Sequence, residues 1–501
     1  MKATTPRLFI SLSGIARLAH VQRPVVSMWR SRAAASELPF PSPVAQDRGS
    51  DVFDALQVAE WLQITNRGNN PDVVADAAAF ARFDATSRGD DESFHALTAL
   101  VALRAVTDKP IGAMTADELR DLADESDPDD ASILSEIEGL GDELASMARF
   151  VDVLVDGAYT ASAAFEALLG ERFRDGRRVL TRTALEPAAT DLVSELAVEL
   201  ARSNPHTNPN GPIFVDPTGA CGDVLIAVLK AVPESVDAVA MTAHTDGPGA
   251  RLLRRRLAAH QMTHISLTVS DSGEFTADGA PVHVAQFPTP ESPVMSAEQI
   301  LSAIENVALQ LDDAQRAVVL APASVLTDGR LTTEADALRS QILRSGSLRA
   351  IVRLPRGLVT GSPRQALALW VFGPAHESVA RADKWTLVAD VGDETLTSTT
   401  RGDLVGDLVA AMGDASAIRA HAFRFARPMR TTALLASSGS LVATTKRVLT
   451  SPRMVTPERG RLAGAEFPAL LDTIIATLGA AAPAGLDTIS VNDAPMVLPE
   501  V

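Results

Sequence analysis

Cysteine is almost missing from this chain: Cys221 is the only one among 501 residues. That excludes a disulfide framework and a cysteine-based zinc site, and it suits a reducing, cytoplasmic compartment. Long apolar runs are missing too. None reaches the roughly 18 residues that a membrane-spanning helix requires. Met1-Lys-Ala-Thr-Thr-Pro-Arg7 is not followed by an apolar secretory core, so no signal peptide is expected. Lysine is scarce (Lys2, Lys109, Lys230, Lys384 and Lys446), and arginine carries nearly all the basic charge. With a net charge of -18 the chain is not one that coats nucleic acid indiscriminately, although one locally basic face can still bind DNA.

Several chemistries are excluded by motif. There is no G-x-S-x-G nucleophile elbow, so a serine hydrolase of that type is not expected. Neither G-x-G-x-x-G nor G-x-x-x-x-G-K-[ST] occurs, which removes the common dinucleotide and P-loop signatures. His244, His260, His264 and His283 lie close in sequence but lack the i, i+4 spacing with Glu that zinc hydrolases use. They are expected to be ordinary turn or surface residues, and no metal site is expected.

What is present reads as a globular protein. Apolar residues make up 46% of the 52.8 kDa chain, enough for a large core and two to four domains. The organising stretch is Gly211 to Ala227. Ile213 to Val215 reads as a buried strand that Asp216-Pro217 ends. Thr218-Gly-Ala-Cys-Gly222 is a small-residue turn, and Val224 onward opens a helix. A strand, a glycine turn and a helix is how an α/β sheet holds a nucleotide-like ligand at its carboxyl edge. Strand and helix then alternate: strands are expected at 236–241, 264–269, 282–285, 317–321, 348–354 and 366–372, with a helix at 250–260 between the first two. That alternation predicts a doubly wound α/β sheet.

Before the sheet come two other regions. In residues 1–66, Leu12, Ile15, Ala16 and Ala19 have helical apolar spacing. Pro24 opens a second helix that buries Val25, Val26 and Trp29 and turns Arg23, Ser27, Arg30 and Arg32 outward. This stretch resembles excisionase-type winged helix-turn-helix domains, with His20 where a glycine is usual. The resemblance implies that the second helix enters the major groove, with Arg23, Ser27, Arg30 and Arg32 as DNA contacts. The alternative is a packing module with the same spacing. Residues 67–180 read as helical after a linker-like break at Asn66 to Pro71. Met147 to Leu169 is expected to be apolar and helical and to pack against the next domain. The acidic run Asp124 to Asp130 lacks the glycine and closing glutamate of a calcium loop, so a solvated loop is expected.

The spacing Asp216-Pro-x-x-x-x-Gly222 resembles the first motif of adenine-specific DNA methyltransferases, D-P-A-C-G-S-G. Further segments follow in the order of that family: Glu186-Pro187 with its helix, Ala250 to His260, Asp271-Ser272, Arg316 to Leu326, and Ile351 to Leu358 followed by Leu367 to Phe372. Over roughly residues 180–375 the chain resembles the modification subunits of type I restriction systems. The resemblance implies a Rossmann-like methyltransferase sheet and S-adenosylmethionine as cofactor. Asp216, Pro217, Gly219, Gly222, Asp246, Asp271 and Ser272 would hold it. Double-stranded DNA, a separate specificity or restriction subunit and a second copy are the implied partners. The domains would run 1–66, 67–180, 181–425 and 426–501, the last including a helix at 467–478.

Departures from the family fall on the chemistry. Ala220 replaces one turn glycine, and His244 falls where an acidic residue should meet the ribose. Where the family has Asn-Pro-Pro-Phe, this chain has Gln286-Phe-Pro-Thr289. The carried-over catalytic positions are Gln286, Phe287 and Pro288. Misplacing a target amino group by about an ångström can cost 100-fold in rate. One reading is therefore a DNA-binding protein whose methyltransferase domain is impaired and serves as scaffold or sensor. The other is an active adenine methyltransferase in which Gln286 positions the amino group and Phe287 stacks on the flipped base. In a third, residues 216–222 are simply a tight turn. Arg251, Arg254, Arg255 and Arg256 are expected to face water from a helix that flanks the sheet.

Overall fold

A computed structural model describes residues 8–33, 36–47, 50–80, 82–83, 90–174, 183–206, 208, 210–219, 222–243, 247–270, 275–290, 292–437 and 439–442. The chain divides into two units, Met1–Lys446 and Arg447–Val501. All the described residues belong to the first, so the helix expected at 467–478 lies outside them.

The chain begins with a small winged module. Its elements are β1 (Leu8–Ser11), α1 (Leu12–Leu18), α2 (Arg23–Ala33), β2 (Ala45–Asp47), β3 (Ser50–Asp54), α3 (Ala55–Ile64), α4 (Val73–Phe80) and β4 (Arg82–Phe83). The four strands form a sheet in the order β2-β3-β1-β4. Ser11 caps α1 by accepting from the Gly14 amide, as short hydroxyl side chains do at helix starts. Between α1 and α2 the chain turns at His20, whose φ of 52° is the left-handed conformation that glycine takes without strain. Residues 66–70 do not hang loose as the composition suggested. The Asn69 amide donates to the Ala19 carbonyl at 2.8 Å, and Asn70 Nδ2 donates to the Leu18 carbonyl at 2.9 Å. These bonds satisfy carbonyls at the carboxyl end of α1 that have no partner inside the helix.

A helical layer follows: α5 (Asp90–Thr107), α6 (Ala116–Ser126), α7 (Leu134–Glu138), α8 (Leu144–Ala158) and α9 (Ala161–Arg174). The apolar, helical stretch expected over 147–169 forms two helices. Tyr159 adopts φ 66° and ends α8. One apolar cluster runs without interruption from Ile10 and Trp29 of the winged module to Leu154 and Phe165 of this layer.

The remaining elements are α10 (Pro187–Ser203), β5 (Ile213–Asp216), α11 (Gly222–Ala231), β6 (Val239–Ala243), α12 (Pro248–Ala259), β7 (His264–Leu267), β8 (Val282–Gln286), α13 (Ala297–Leu309), β9 (Arg316–Pro322), α14 (Ala323–Leu326), α15 (Thr333–Ser345), β10 (Leu348–Arg356), β11 (Ala366–Phe372), β12 (Trp385–Asp390), α16 (Ser398–Ala410), α17 (Ala415–Ala420), β13 (Arg427–Arg430) and α18 (Thr431–Leu435). Nine strands form one sheet in the order β13-β12-β10-β11-β9-β8-β5-β6-β7. The run β9-β8-β5-β6-β7 is parallel, and β11 is reversed between β9 and β10. Apolar residues of α10, α11 and α16 cover one face, and those of α13 and α15 cover the other. This is the doubly wound sheet that the strand–helix alternation predicts, with one reversed strand, β11, inside it. Two strands, β12 and β13, extend it beyond β10; β12 ends at Asp390, where residues 389–394 resemble the post-hairpin strand of the modification-subunit family, and β13 is not among the strands expected from the sequence.

Helix α12 carries the main correction. Its arginines do not face water. Leu253 and Leu257 pack into the sheet core, while Leu252, Ala258 and Ala259 belong to the cluster of the helical layer. Arg254 and Arg255 are fully buried. Arg251 forks onto Glu136 (2.8 Å from Nε) and also meets Asp130 (2.9 Å). Arg254 donates to the Ala131 carbonyl, and Arg255 to the His95 carbonyl. Arg256 forks onto Glu166 at 2.7 and 2.8 Å. Within the acidic run Asp124, Glu125 and Asp129 are exposed as expected, while Asp127 and Asp130 are engaged by the protein. Asp127 is buried, and it accepts from the backbone amides of Ala131, Ser132 and Ile133.

Burial by itself would raise the Glu166 carboxyl, but hydrogen bonds from His260 and Arg256 outweigh it and hold the group at about 2. A depressed carboxyl stabilises the folded chain above its ordinary value of 4.5, and that contribution disappears as pH falls toward about 2. The thermal midpoint of the wild-type chain should therefore drop more steeply between pH 5 and pH 3 than that of Glu166→Gln. Scanning calorimetry across that window checks this; parallel curves for the two proteins would contradict it.

Candidate functional site

Two adjacent parallel strands bring the candidate groups to one edge of the sheet. β5 delivers Asp216, and β8 delivers Gln286. Asp216 is completely buried. Its Oδ1 accepts from the Thr218 amide (2.9 Å), the Thr218 hydroxyl (2.7 Å) and the Gly219 amide (3.1 Å). One carboxylate oxygen thus fixes the turn that follows it, and Pro217 is buried within that turn.

The two described glycines of the turn have protein neighbours. Gly219 has φ 64°, and a Cβ placed on it would lie 3.3 Å from the Ala250 Cβ and 3.4 Å from the Ala243 carbonyl. A Cβ on Gly222 would lie 3.3 Å from Arg256 Nη1. Each therefore makes room for α12 or for the end of β6. One feature fits a polar ligand. Thr242 is in register with Asp216, so the two share a face of the sheet. The Thr242 hydroxyl is buried without a hydrogen-bond partner among the described residues. Buried polar atoms of that kind usually find a partner in protein, water or ligand. Asp246, Asp271 and Ser272, together with His244, lie outside the described residues.

The corner at Gln286 is closed. Gln286 Nε2 donates to the Thr183 carbonyl at 2.5 Å. Phe287 is 4% exposed and packs in the cluster formed by Ile300, Val319 and Trp370. It offers no open ring face on which a base could stack. The peptide bond between Phe287 and Pro288 is cis. Thr183, Leu185, Gln286, Phe287, Pro288, Leu320, Val359, Gln365 and Leu367 enclose a cavity of about 10 Å³. That is room for one water at most, whereas small-molecule sites run to about 300–1,000 Å³. The wall of this corner is built by residues 183–186 against 358–360. Leu185 bridges to Val359, the Thr360 amide donates to the Ala184 carbonyl, and the Glu186 amide donates to the Leu358 carbonyl. Such pairings join positions far apart in the chain, and nothing in the local sequence of Thr183 announces them.

The histidines differ from expectation as well. His283 is fully buried within 3.0 Å of Gln315 Oε1, and burial pulls it down to about 4, so it is neutral near pH 7. His260 bonds Glu166 at 2.8 Å.

On the winged module, Arg23, Ser27 and Arg32 stand exposed along α2. Arg30 does not. It pairs with Asp51 of β3 at 2.7 Å and lies over the Phe53 ring, 5.3 Å from its centroid. It braces helix against wing, and its hydrogen bond is the main reason the Asp51 carboxyl sits below its usual range. Beside α2 runs an open groove of about 610 Å³, walled by Pro39, Pro41 and Pro43 and floored by Phe40 and Leu12.

No family model matches the chain, and no curated protein matches it. Solved structures do. A methyltransferase subunit of a type I restriction-modification system from Streptococcus thermophilus is 11% identical, with a TM-score of 0.45 over 87% of this chain and 91% of that one. A chain from a structure of type I restriction-modification complex assembly is 16% identical, with a TM-score of 0.45 over 81% of this chain and 95% of that one. The M protein of the type I enzyme EcoKI is 11% identical, with a TM-score of 0.30 over 76% of this chain and 71% of that one.

Gly219→Ala tests the turn. A side chain at that left-handed φ costs about 1–2 kcal/mol, and crowding against Ala250 adds to it. The urea midpoint should fall with the slope unchanged; an unaltered midpoint would show that the turn adopts another path.

Proposed function

We propose that this chain binds double-stranded DNA through its winged module and uses a methyltransferase fold as a scaffold that does not transfer methyl groups. The observation that carries the second half is the closed corner: the Gln286 amide is engaged by the Thr183 carbonyl, Phe287 is packed in the core, and the cavity between them is about 10 Å³. A methylated base must leave the duplex and enter a fitted pocket. Gln286, Phe287 and Pro288 here hold the corner together instead. The first half is supported by the exposed row Arg23, Ser27 and Arg32 on the second helix of the module, in a chain whose net charge of -18 otherwise repels polyanions.

S-adenosylmethionine remains the cofactor that this turn fits. Asp216 would keep its loop in shape, Pro217, Gly219 and Gly222 would line it, and the Thr242 hydroxyl would gain a partner. Bound there, the cofactor would supply a transferable methyl group, and here it would act as a ligand that is sensed. Asp246, Asp271 and Ser272 are proposed contacts on the strength of the motif. A restriction or phage-defence assembly, with a separate specificity or restriction subunit and a second copy of this chain, is the setting that the resemblance suggests.

Incubating the purified chain with DNA and tritiated S-adenosylmethionine should leave adenine unlabelled, while calorimetry detects the cofactor. Efficient labelling would overturn the scaffold reading. DNA binding should fall steeply with salt, and Arg23→Ala with Arg32→Ala should each lower the slope of log K against log salt by about 0.9. Unchanged affinity and slope in the double variant would remove α2 from the interface.

A further inference from the structure

Arg256 touches three things at once. Its Nε and Nη2 form a fork onto Glu166 of α9. Its Nη1 reaches Asp223 Oδ1 at 2.7 Å. That same Nη1 lies against Gly222, where a Cβ would sit 3.3 Å away. Asp223 follows Gly222 directly and occupies the first turn of α11. One rigid guanidinium therefore spans the closing glycine of the candidate cofactor turn, the start of the helix behind it, and the helical layer. A second contact from the same helix reinforces the first: Ala250, near the start of α12, abuts Gly219 at the other end of the turn.

The chemistry suits coupling better than simple adhesion. A planar fork fixes both partners in direction as well as distance, which an ammonium would not do. Glu166 is itself pinned by His260 at 2.8 Å, so its carboxylate cannot follow Arg256 freely. Asp223 is more exposed than Glu166, so it is the weaker and more adjustable arm. A shift of the turn moves Gly222 and Asp223, Arg256 answers, and the strain is felt at Glu166.

We infer that Arg256 is a positioning residue that couples the Gly222–Asp223 start of α11 to the docking of the helical layer, so that a ligand at the turn and the seating of α9 bias one another. The ligand half of this inference rests on the cofactor reading above; the structural half does not. Coupling between two such sites is reciprocal and typically changes an equilibrium 5- to 150-fold.

The test is hydrogen exchange on the full chain without ligand, comparing wild type with Glu166→Gln and with Arg256→Lys. Among the described residues, Glu166 reaches the turn only through Arg256. Glu166→Gln should nonetheless speed exchange at the amides of 222–225 by about tenfold, and Arg256→Lys, which keeps the charge but loses the fork, should do so partly. Faster exchange confined to α9 in Glu166→Gln, with 222–225 unchanged, would overturn the inference. A titration with S-adenosylmethionine separates the two proposals. If the wild type binds, Glu166→Gln should bind about tenfold more weakly, and equal affinity would count against coupling. If the wild type does not bind while 222–225 still loosens, the coupling stands and the cofactor reading falls.

Discussion

Helix α12 is the constraint on which the arrangement of this unit depends. It is buried on two sides, with leucines toward the sheet and arginines toward the helical layer. Burying guanidinium groups is costly unless each finds partners of good geometry. Here each does: carboxylates of Glu136 and Glu166, and carbonyls of Ala131 and His95. An apolar face would have accepted many rotations of one layer against the other. Forks that must meet particular carboxylates accept few, and the near-absence of lysine agrees with that demand for direction.

The two ends of the ligand-binding edge have separate fates. At β5, Asp216 orders the start of the turn, and beside it the Thr242 hydroxyl has no partner among the described residues. One strand away, at β8, the equivalent polar position has become an internal strut. A glutamine is one methylene longer than an asparagine, and in this corner that reach lets it find a backbone carbonyl within the protein. Phenylalanine in place of the first proline then turns toward the core. Together the two side chains leave a cavity of only about 10 Å³ at this corner.

Much of this was legible in the sequence. Strands such as Ile213 to Val215 and Ala317 to Ala321 are short apolar runs between glycine- or proline-marked breaks, and a sheet buried on both faces makes such runs stand out. The turn at Asp216 was legible because few folds require that spacing. What escaped was long-range. Arg251, Arg254 and Arg255 have the i, i+3, i+4 spacing of a buried stripe, but their charge argued for water. The signal that could have corrected this was the acidic run Asp124 to Asp130 with Glu136, roughly 120 residues earlier, which supplies the complementary charge. Thr183 closing on Gln286 was beyond reach, because a backbone carbonyl carries no residue identity. Arg30 looked like a DNA contact because periodicity places it outward, and periodicity says nothing of Asp51 across the wing.

The unbroken cluster from Ile10 to Phe165 has a geometric consequence. A reading head on a slack tether would sample many bearings, and whatever it grasped could lie at any angle to the rest of the molecule. Here the head is cemented to its neighbours, and the loop at Asn69 and Asn70 is stitched into its floor. The DNA proposed to lie along α2 would therefore be presented to the sheet along one fixed bearing, as a gauge needle is held against its dial.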